Sequence, residues 1–435
     1  MSNYSRHCVN DLNRKIDLTY NNMTAIVAVL NKHGAAIAAD SAVTLGDTHK
    51  VINNGNKIFT LSKYEPVSIA TYGNSSLLGI PWEIIIKTYR KHLSDRKFPV
   101  LFDYVNDFIE YLRIRQFVKD QEIEMDILNN MLFFYRIVLN KLNPNNEKIL
   151  SKEEIISEFQ SILDKNKIDS NICAELTDYT LESFRQDYKD AIITFFSSIN
   201  EKFSEKQKNK IIESYFYYLR LFLNDPQNSG LVFVGYGDEE IYPSMINIEI
   251  SRFIQRRIKF TNKESIQIGV NANASITPFA QVDVCHTIIK GMTPIFLNPL
   301  KDIFQAIITK IVSTIAQTLN NNGVTDNITS QIRSLDFNEI AQQFVTSFEG
   351  EKQKMYTAPL LNTIVALNKE DLANLAESLV SLTSVVRRIS PTEETVGGPV
   401  DVAIISKGDG FIWKNRKHYF DPKMNTHFFD NYYRN

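Results

Sequence analysis

Four groups in the first part of this chain have types and positions that could do chemistry. Thr24 opens an apolar run, Asp40 closes the next one, Lys57 opens a third, and Gly73 follows a fourth. A threonine hydroxyl is a poor nucleophile at its own pKa and attacks only when a base takes its proton. Taken singly, each residue has an ordinary reading: Thr24 as a strand-favouring residue, Asp40 as a turn former, Lys57 as a solvated edge charge. The other chemistry-bearing residues form no pattern. Gly235-Tyr236-Gly237-Asp238 follows a strand but lacks the glycine fingerprint and the helix of a phosphate site, so it reads as a tight turn. His33, His49, His92, His286, His418 and His427 show no metal-ligand spacing, and no metal or other cofactor is implied. Lys414-Asn415-Arg416-Lys417-His418 is a short basic run of the kind found on solvated surfaces.

The elements that must position these residues are strands first. Ala25–Leu30 and Ala35–Ala39, separated by the turn signal Asn31-Lys32-His33-Gly34, predict a hairpin covered on both faces. Lys57–Leu61 and Val67–Thr71 add two more strands. From about Ile80 to Asn224 apolar residues fall at helical spacing, as in Phe102–Phe117 and Ile211–Leu223. Strand character returns at 230–237, Met245–Ile250 and Ser265–Val270, which predicts a second sheet. Pro278–Met292, Leu300–Leu319, Phe337–Phe348 and Lys369–Val386 read as amphipathic helices, and Val400–Ser406 with Phe411–Trp413 closes the chain as a strand pair. This order does not alternate strand and helix as a doubly wound fold does, and a four-layer sandwich fits better.

Composition narrows the function classes. Of 435 residues, 43% are hydrophobic and 23% charged, an ordinary globular balance. Lys+Arg 48 against Asp+Glu 50 leaves a net charge of −2, so no general basic field argues for nucleic acid or an anionic membrane. Cys8, Cys173 and Cys285 are too few and too scattered for a disulfide framework, which fits a reducing cytoplasm. No stretch approaches the roughly 20 apolar residues of a membrane span.

The stretch Thr24-Ala25-Ile26-Val27-Ala28-Val29, followed by Ala38-Ala39-Asp40-Ser41 and Asn56-Lys57-Ile58-Phe59, resembles the start of proteasome β-subunit-like N-terminal-nucleophile hydrolases, as a divergent bacterial member. The likeness is good over 24–90 and looser over 230–290 and 390–415, and it implies an α+β fold, a four-layer αββα sandwich. It also implies that Thr24 is the nucleophile and that its own α-amine, once free, is the base. An α-amine has a reference pKa near 8, and a neighbouring cation lowers it, the role the resemblance gives Lys57. Asp40 would anchor both, and the N–H of Gly73 would stabilise the tetrahedral oxyanion. In Thr395-Val396-Gly397-Gly398-Pro399 the family's assisting aspartate and serine are replaced. Glu393 and Thr395 are the substitutes on offer, and Ser275, in Asn273-Ala274-Ser275, is the nearest match to a further serine. The segment at about 90–228 has no counterpart in ordinary proteasome subunits and is expected to be a helical insertion within one domain, 24–435.

The implied activity is a threonine-type peptidase or amidohydrolase, acting on a peptide or protein substrate, with assembly into a homo-oligomer and an unfoldase partner left open. A catalytically silent sandwich that binds partners is the alternative, and an amidase acting on small amides is a third. Residues 1–22 are polar and lack any period, so 1–23 reads as a leader or non-functional extension. Met23-Thr24 looks like a translation start, from which loss of the methionine would free the amine of Thr24.

Overall fold

The computed structural model describes residues 24–45, 50–52, 54–114, 118–145, 148–169, 171–199, 201–222, 228–322, 331, 337–390, 397–418 and 420–427. The expected leader, 1–23, lies outside them. The described residues fall into two compact units, one made of 56–267 with 405–411, the other of 24–55, 268–404 and 412–427. The fold is mixed α and β, with antiparallel strand pairs in both units.

The unit that holds Thr24 is built on β1 (Ala25–Asn31) and β2 (Gly34–Ala39), whose apolar runs pair antiparallel from Ile26 with Ala39 to Asn31 with Gly34. Asn31 shapes the turn by accepting the His33 N–H at 2.8 Å, and its own amide donates to the carbonyls of Ile364 and Leu367, each at 2.8 Å. Those bonds explain a fully buried asparagine, since an unpaired amide there would cost its desolvation. The pair β3 (Val43–Leu45) and β4 (Lys50–Ile52) follows. With β12 (Ala274–Ala280), β13 (Asp401–Ser406) and β14 (Gly410–Asn415) the hairpin completes a five-stranded sheet in the order β12-β1-β2-β13-β14.

One face of that sheet carries Val27, Val29, Ala36 and Ala38, packed with Ala373, Ala376 and Val380 of a long helix, Lys369–Ile389. Small alanines on both surfaces let helix and sheet approach closely, and each buried Val contributes on the order of 1.5–3 kcal/mol. Ile26, Ala28 and Leu30, on the opposite face, are fully buried too, as continuous apolar runs require.

The other unit has a five-stranded sheet in the order β11-β10-β9-β6-β5, made of β5 (Ile58–Thr60), β6 (Val67–Gly73), β9 (Ser229–Gly235), β10 (Ser244–Ile254) and β11 (Arg257–Gln267). Two short strands, β7 (Ser76–Leu77) and β8 (Ile80–Pro81), lead into helices α1 (Trp82–Leu93), α2 (Leu101–Ile114), α3 (Asp120–Leu142), α4 (Lys152–Lys167), α5 (Leu181–Asp187), α6 (Lys189–Ser198) and α7 (Glu205–Arg220). Aromatic side chains bind this block to the sheet, with Phe108 of α2 edge-on to Phe233 of β9 at 5.7 Å. Arg252 of β10, 1% exposed, pairs with Asp126 of α3 at 3.0 Å. The buried Glu240 carboxylate accepts the N–H groups of Leu101 and Gly237 and the Ser244 hydroxyl, which pins the start of α2.

Helices complete the Thr24 unit as α8 (Asp283–Lys290), α9 (Leu297–Asn321), α10 (Asn338–Lys352), α11 (Ala358–Val365) and α12 (Lys369–Ile389). The segment expected to form one helix over Pro278–Met292 divides instead, with β12 running through Pro278 to Ala280 and α8 starting at Asp283. The strand tolerates Pro278 because β12 is the edge of its sheet, where a missing N–H costs no ladder bond.

Candidate functional site

Thr24 stands immediately before β1 and is 6% exposed. The peptide unit that follows it is held from both sides. Its carbonyl accepts the Gln281 N–H at 3.1 Å, and the N–H of Ala25 donates to Asp40 Oδ1 at 2.9 Å. The Asp40 N–H in turn donates to the Ala25 carbonyl at 3.1 Å. A strand end normally frays, and these bonds fix the one that carries Thr24.

Asp40, 1% exposed, is the centre of the arrangement. Its Oδ2 accepts the N–H groups of Ala42 at 3.1 Å and Gly397 at 3.2 Å, so the carboxylate ties the end of β2 to β1 and to the segment that leads into β13. Ser41 adds to the tie, its N–H donating to the Gly397 carbonyl at 3.1 Å and its hydroxyl to the Pro399 carbonyl. Backbone N–H groups turned on a carboxylate are charge-assisted donors and make burial of the charge tolerable. These bonds join Asp40 to the backbone of Ala25, Ala42 and Gly397.

Gln281 and its neighbours were not nominated from the sequence. Ala280, paired with Ala25 in register, has φ +65°, a left-handed conformation that a residue with a Cβ seldom adopts. The next N–H, from Gln281, continues the β1–β12 register and meets the Thr24 carbonyl. Arg387, near the end of α12, donates to both Gln281 Oε1 and Asp283 Oδ1 and so fixes this corner to a helix more than a hundred residues on. No local pattern announces such a link, since Arg387 reads only as a basic residue in a last turn. On α8, burial and the charge of Lys290 hold the His286 imidazole below its usual range, against the opposing pull of Asp283. Burial pushes the Cys285 thiol up, away from reactivity.

Ser275 is elsewhere. It pairs with Leu30, while Ala280 pairs with Ala25, so Ser275 sits five residues down β12 from the Thr24 end, about 17 Å along the strand. Its hydroxyl bonds that of Thr277 at 3.0 Å. Glu393 and Thr395 lie outside the described residues.

Lys57 and Gly73 belong to the other unit. Lys57 stands immediately before β5, is 4% exposed, and accepts the Thr71 N–H on its carbonyl at 2.9 Å. The edge-charge reading of Lys57 therefore fails on solvation alone, because lysines are almost never so buried unless partnered. Gly73 ends β6 with φ +76°, and a Cβ there would stand 2.5 Å from the Asn228 carbonyl oxygen. Glycine is thus required by the backbone, whatever its N–H does. Tyr72, next to it, lies over Gly230, its cross-strand partner, and hydrogen-bonds Asn247. Burial and the charge of Glu249 raise the Tyr72 phenol above its usual range, so it stays protonated.

Among the described residues no group of three or more His, Cys, Asp or Glu could hold a metal, and no helix is long and apolar enough to cross a membrane.

No family model matches the chain, and no curated protein does. Among solved structures it is similar to Anbu (ancestral beta-subunit) from Yersinia bercovieri, at 8% identity and a TM-score of 0.26 over 94% of each chain. It is similar also to an Anbu (Gly-1) mutant from Hyphomicrobium sp. strain MC1, at 10% identity and a TM-score of 0.21 over 94% of each chain. These values correct the family membership implied by the Thr24–Lys57 motif. Superposition this poor carries no argument for a shared fold, and no family model supplies one. What remains of the motif is its own geometry.

Proposed function

We propose that the protein is a threonine-dependent hydrolase of amide bonds, those of peptides first, with Thr24 as nucleophile once its α-amine is free. What supports the reading is the double hold on the Thr24–Ala25 peptide unit by Asp40 and Gln281, which fixes a buried hydroxyl-bearing residue at a strand end. In the reaction, Thr24 Oγ1 bonds to the substrate carbonyl carbon while its proton passes to the α-amine. That proton then goes to the leaving amine as the C–N bond breaks, and water hydrolyses the resulting ester. Asp40 positions the nucleophile, Lys57 is the cation assigned to keep the amine basic, and the Gly73 N–H is assigned to the oxyanion. A four-layer αββα arrangement belongs to this proposal, supported by one five-stranded sheet and one set of helices in each unit. So does a cytoplasmic setting, in keeping with the free, buried thiols of Cys173 and Cys285.

A second reading, a silent binding scaffold, is favoured by a specific observation: Asp40 and Gly73 are each accounted for by backbone roles, without catalysis. One experiment separates the two. The purified native protein is sequenced from its N-terminus and treated with a threonine-directed β-lactone, and the adduct is located by intact mass and peptide mapping. The hydrolase reading expects Thr24 as first residue, an adduct on it, and loss of peptide cleavage in Thr24→Ala with the fold retained. Residues still attached ahead of Thr24, or cleavage that survives Thr24→Ala, would leave the scaffold reading.

A further inference from the structure

Helix α9 packs one side on α10, with Phe304 stacked on Phe344 at 4.1 Å and Gln305 bonded to Asn338 at 2.6 Å. Along another side run Ile303, Ile307, Ile311 and Ile315, exposed by 57%, 52%, 53% and 48%. Isoleucines four apart form one continuous ridge, and four of them half in water make an apolar strip of a size that soluble proteins keep for contacts. Ridges of this kind pack best into the groove beside an identical ridge, at a crossing angle of about −50°.

We propose that this strip is the contact between two copies of this chain, related by a two-fold axis passing at Ala306. Two independent requirements place the axis there. The first is charge. The 25 residues of α9 include Lys301, Asp302 and Lys310 as their charged members, and the exposed Asp302 and Lys310 lie four positions to either side of Ala306. At a rise of 1.5 Å per residue each is about 6 Å from the axis, so Asp302 of one copy stands level with Lys310 of the other, twice over. The second is shape. The same axis sets Ile303 of one copy level with position 309 of the other, midway between Ile307 and Ile311, and Ile307 midway between Ile303 and Ile307. Every ridge residue meets a gap. Moving the axis by one residue sets ridge on ridge, Ile303 level with Ile307 or with Ile311, and unpairs the charges. A lipid surface or an unrelated protein would demand no such agreement between the charge register and the apolar register. Ala306 at the crossing point has a side chain small enough for the two helices to come close.

The inference stands apart from the hydrolase reading, and its test needs no activity. The full chain is followed by light scattering behind size exclusion and by sedimentation over a range of concentrations. The wild type is expected to associate in multiples of two of the 50.0 kDa chain. Asp302→Lys and Lys310→Asp, each placing like charges opposite one another, are expected to weaken association about tenfold or more. The double variant Asp302→Lys/Lys310→Asp, which restores opposite charges in swapped places, is expected to recover wild-type association. Ile307→Ser, which empties the centre of the ridge, should weaken it as the single charge reversals do. All these side chains are exposed, and an unchanged far-UV circular dichroism spectrum confirms that the variants fold. A wild type that stays at 50.0 kDa up to about 100 μM overturns the proposal. So does association indifferent to the single reversals, or single reversals that the double variant fails to repair.

Discussion

Replacing Asp40 by asparagine changes one atom and tests how the Thr24 end of β1 is held. In the native site Oδ1 faces the Ala25 N–H and Oδ2 faces those of Ala42 and Gly397. An amide keeps one acceptor and gains two donors, so one side of it must now point N–H at N–H. The less costly orientation turns the amide oxygen to Ala42 and Gly397, leaving Ala25 without its acceptor. A hydrogen bond to a charged group contributes about 1.5–3 kcal/mol and a neutral one about 1, so one lost bond and two weakened ones sum to about 3–7 kcal/mol. That is a large part of the usual stability of a domain, about 5–15 kcal/mol. Urea unfolding of wild type and Asp40→Asn should show the midpoint falling by the corresponding amount with an unchanged slope. Amide exchange should quicken first at Ala25, Ala42 and Gly397. A loss below about 0.5 kcal/mol, the range of neutral surface changes, would refute the account of Asp40 as a clamp.

Other outcomes follow from single observations. Ala280 has φ +65°, so Ala280→Gly should be neutral or stabilising by up to about 1 kcal/mol, while the β-branched Ala280→Val should lose stability, both read from urea midpoints. A Cβ at Gly230 would lie 1.9 Å from the Tyr72 ring, so Gly230→Ala should cost about 1–3 kcal/mol, with much of the loss recovered when combined with Tyr72→Ala. His286 is held below its ordinary 6.5, so the unfolded chain takes up its proton first. Stability from this group is complete above that value and is lost as pH falls through the lower folded one. His286→Gln should flatten that acid slope in urea midpoints measured from about pH 8 to pH 5.

How much of this was legible in the sequence depended on how local the cause was. The hairpin of β1 and β2 could be read because two apolar runs flank a turn of Asn, Lys, His and Gly, and the structure pairs them over Ile26–Asn31 and Gly34–Ala39. The long hairpin of β10 and β11 was legible only at its ends. Its middle, Ser251 to Glu264, alternates apolar residues with Arg and Lys and turns on Gln255 at φ +54°, where a glycine would have announced it. Pro278–Met292 reads as one amphipathic helix from its spacing, and only the knowledge that β12 is an edge strand removes the objection that Pro278 raises to a strand. Ser275 was nominated for its type, but strand register is not visible in types, and five residues of register separate it from the Thr24 end. Gln281 and Arg387 were missed because their meeting is made by tertiary packing across 106 positions.

The motif residues do not carry equal weight once their surroundings are known. A residue constrained by the backbone says little about chemistry, because the fold would select it with or without a reaction. Gly73 is such a residue, excluded from having a Cβ by its φ and by the Asn228 carbonyl. Asp40 is nearly so, since its bonds to Ala25, Ala42 and Gly397 account for a buried carboxylate in that place. Lys57 differs in kind. Its backbone makes an ordinary strand bond to Thr71, which any residue could make, while it is among the most buried cations of the described residues. Burying an ammonium costs several kcal/mol before its partners offset it, and an apolar residue of similar shape would seldom be less stable. Thr24 likewise satisfies the strand through its carbonyl, a bond that serine, valine or alanine would make as well. The side chains of Thr24 and Lys57 are therefore the part of the pattern that the backbone leaves unexplained, and they are where the distinction between a hydrolase and a silent scaffold lies.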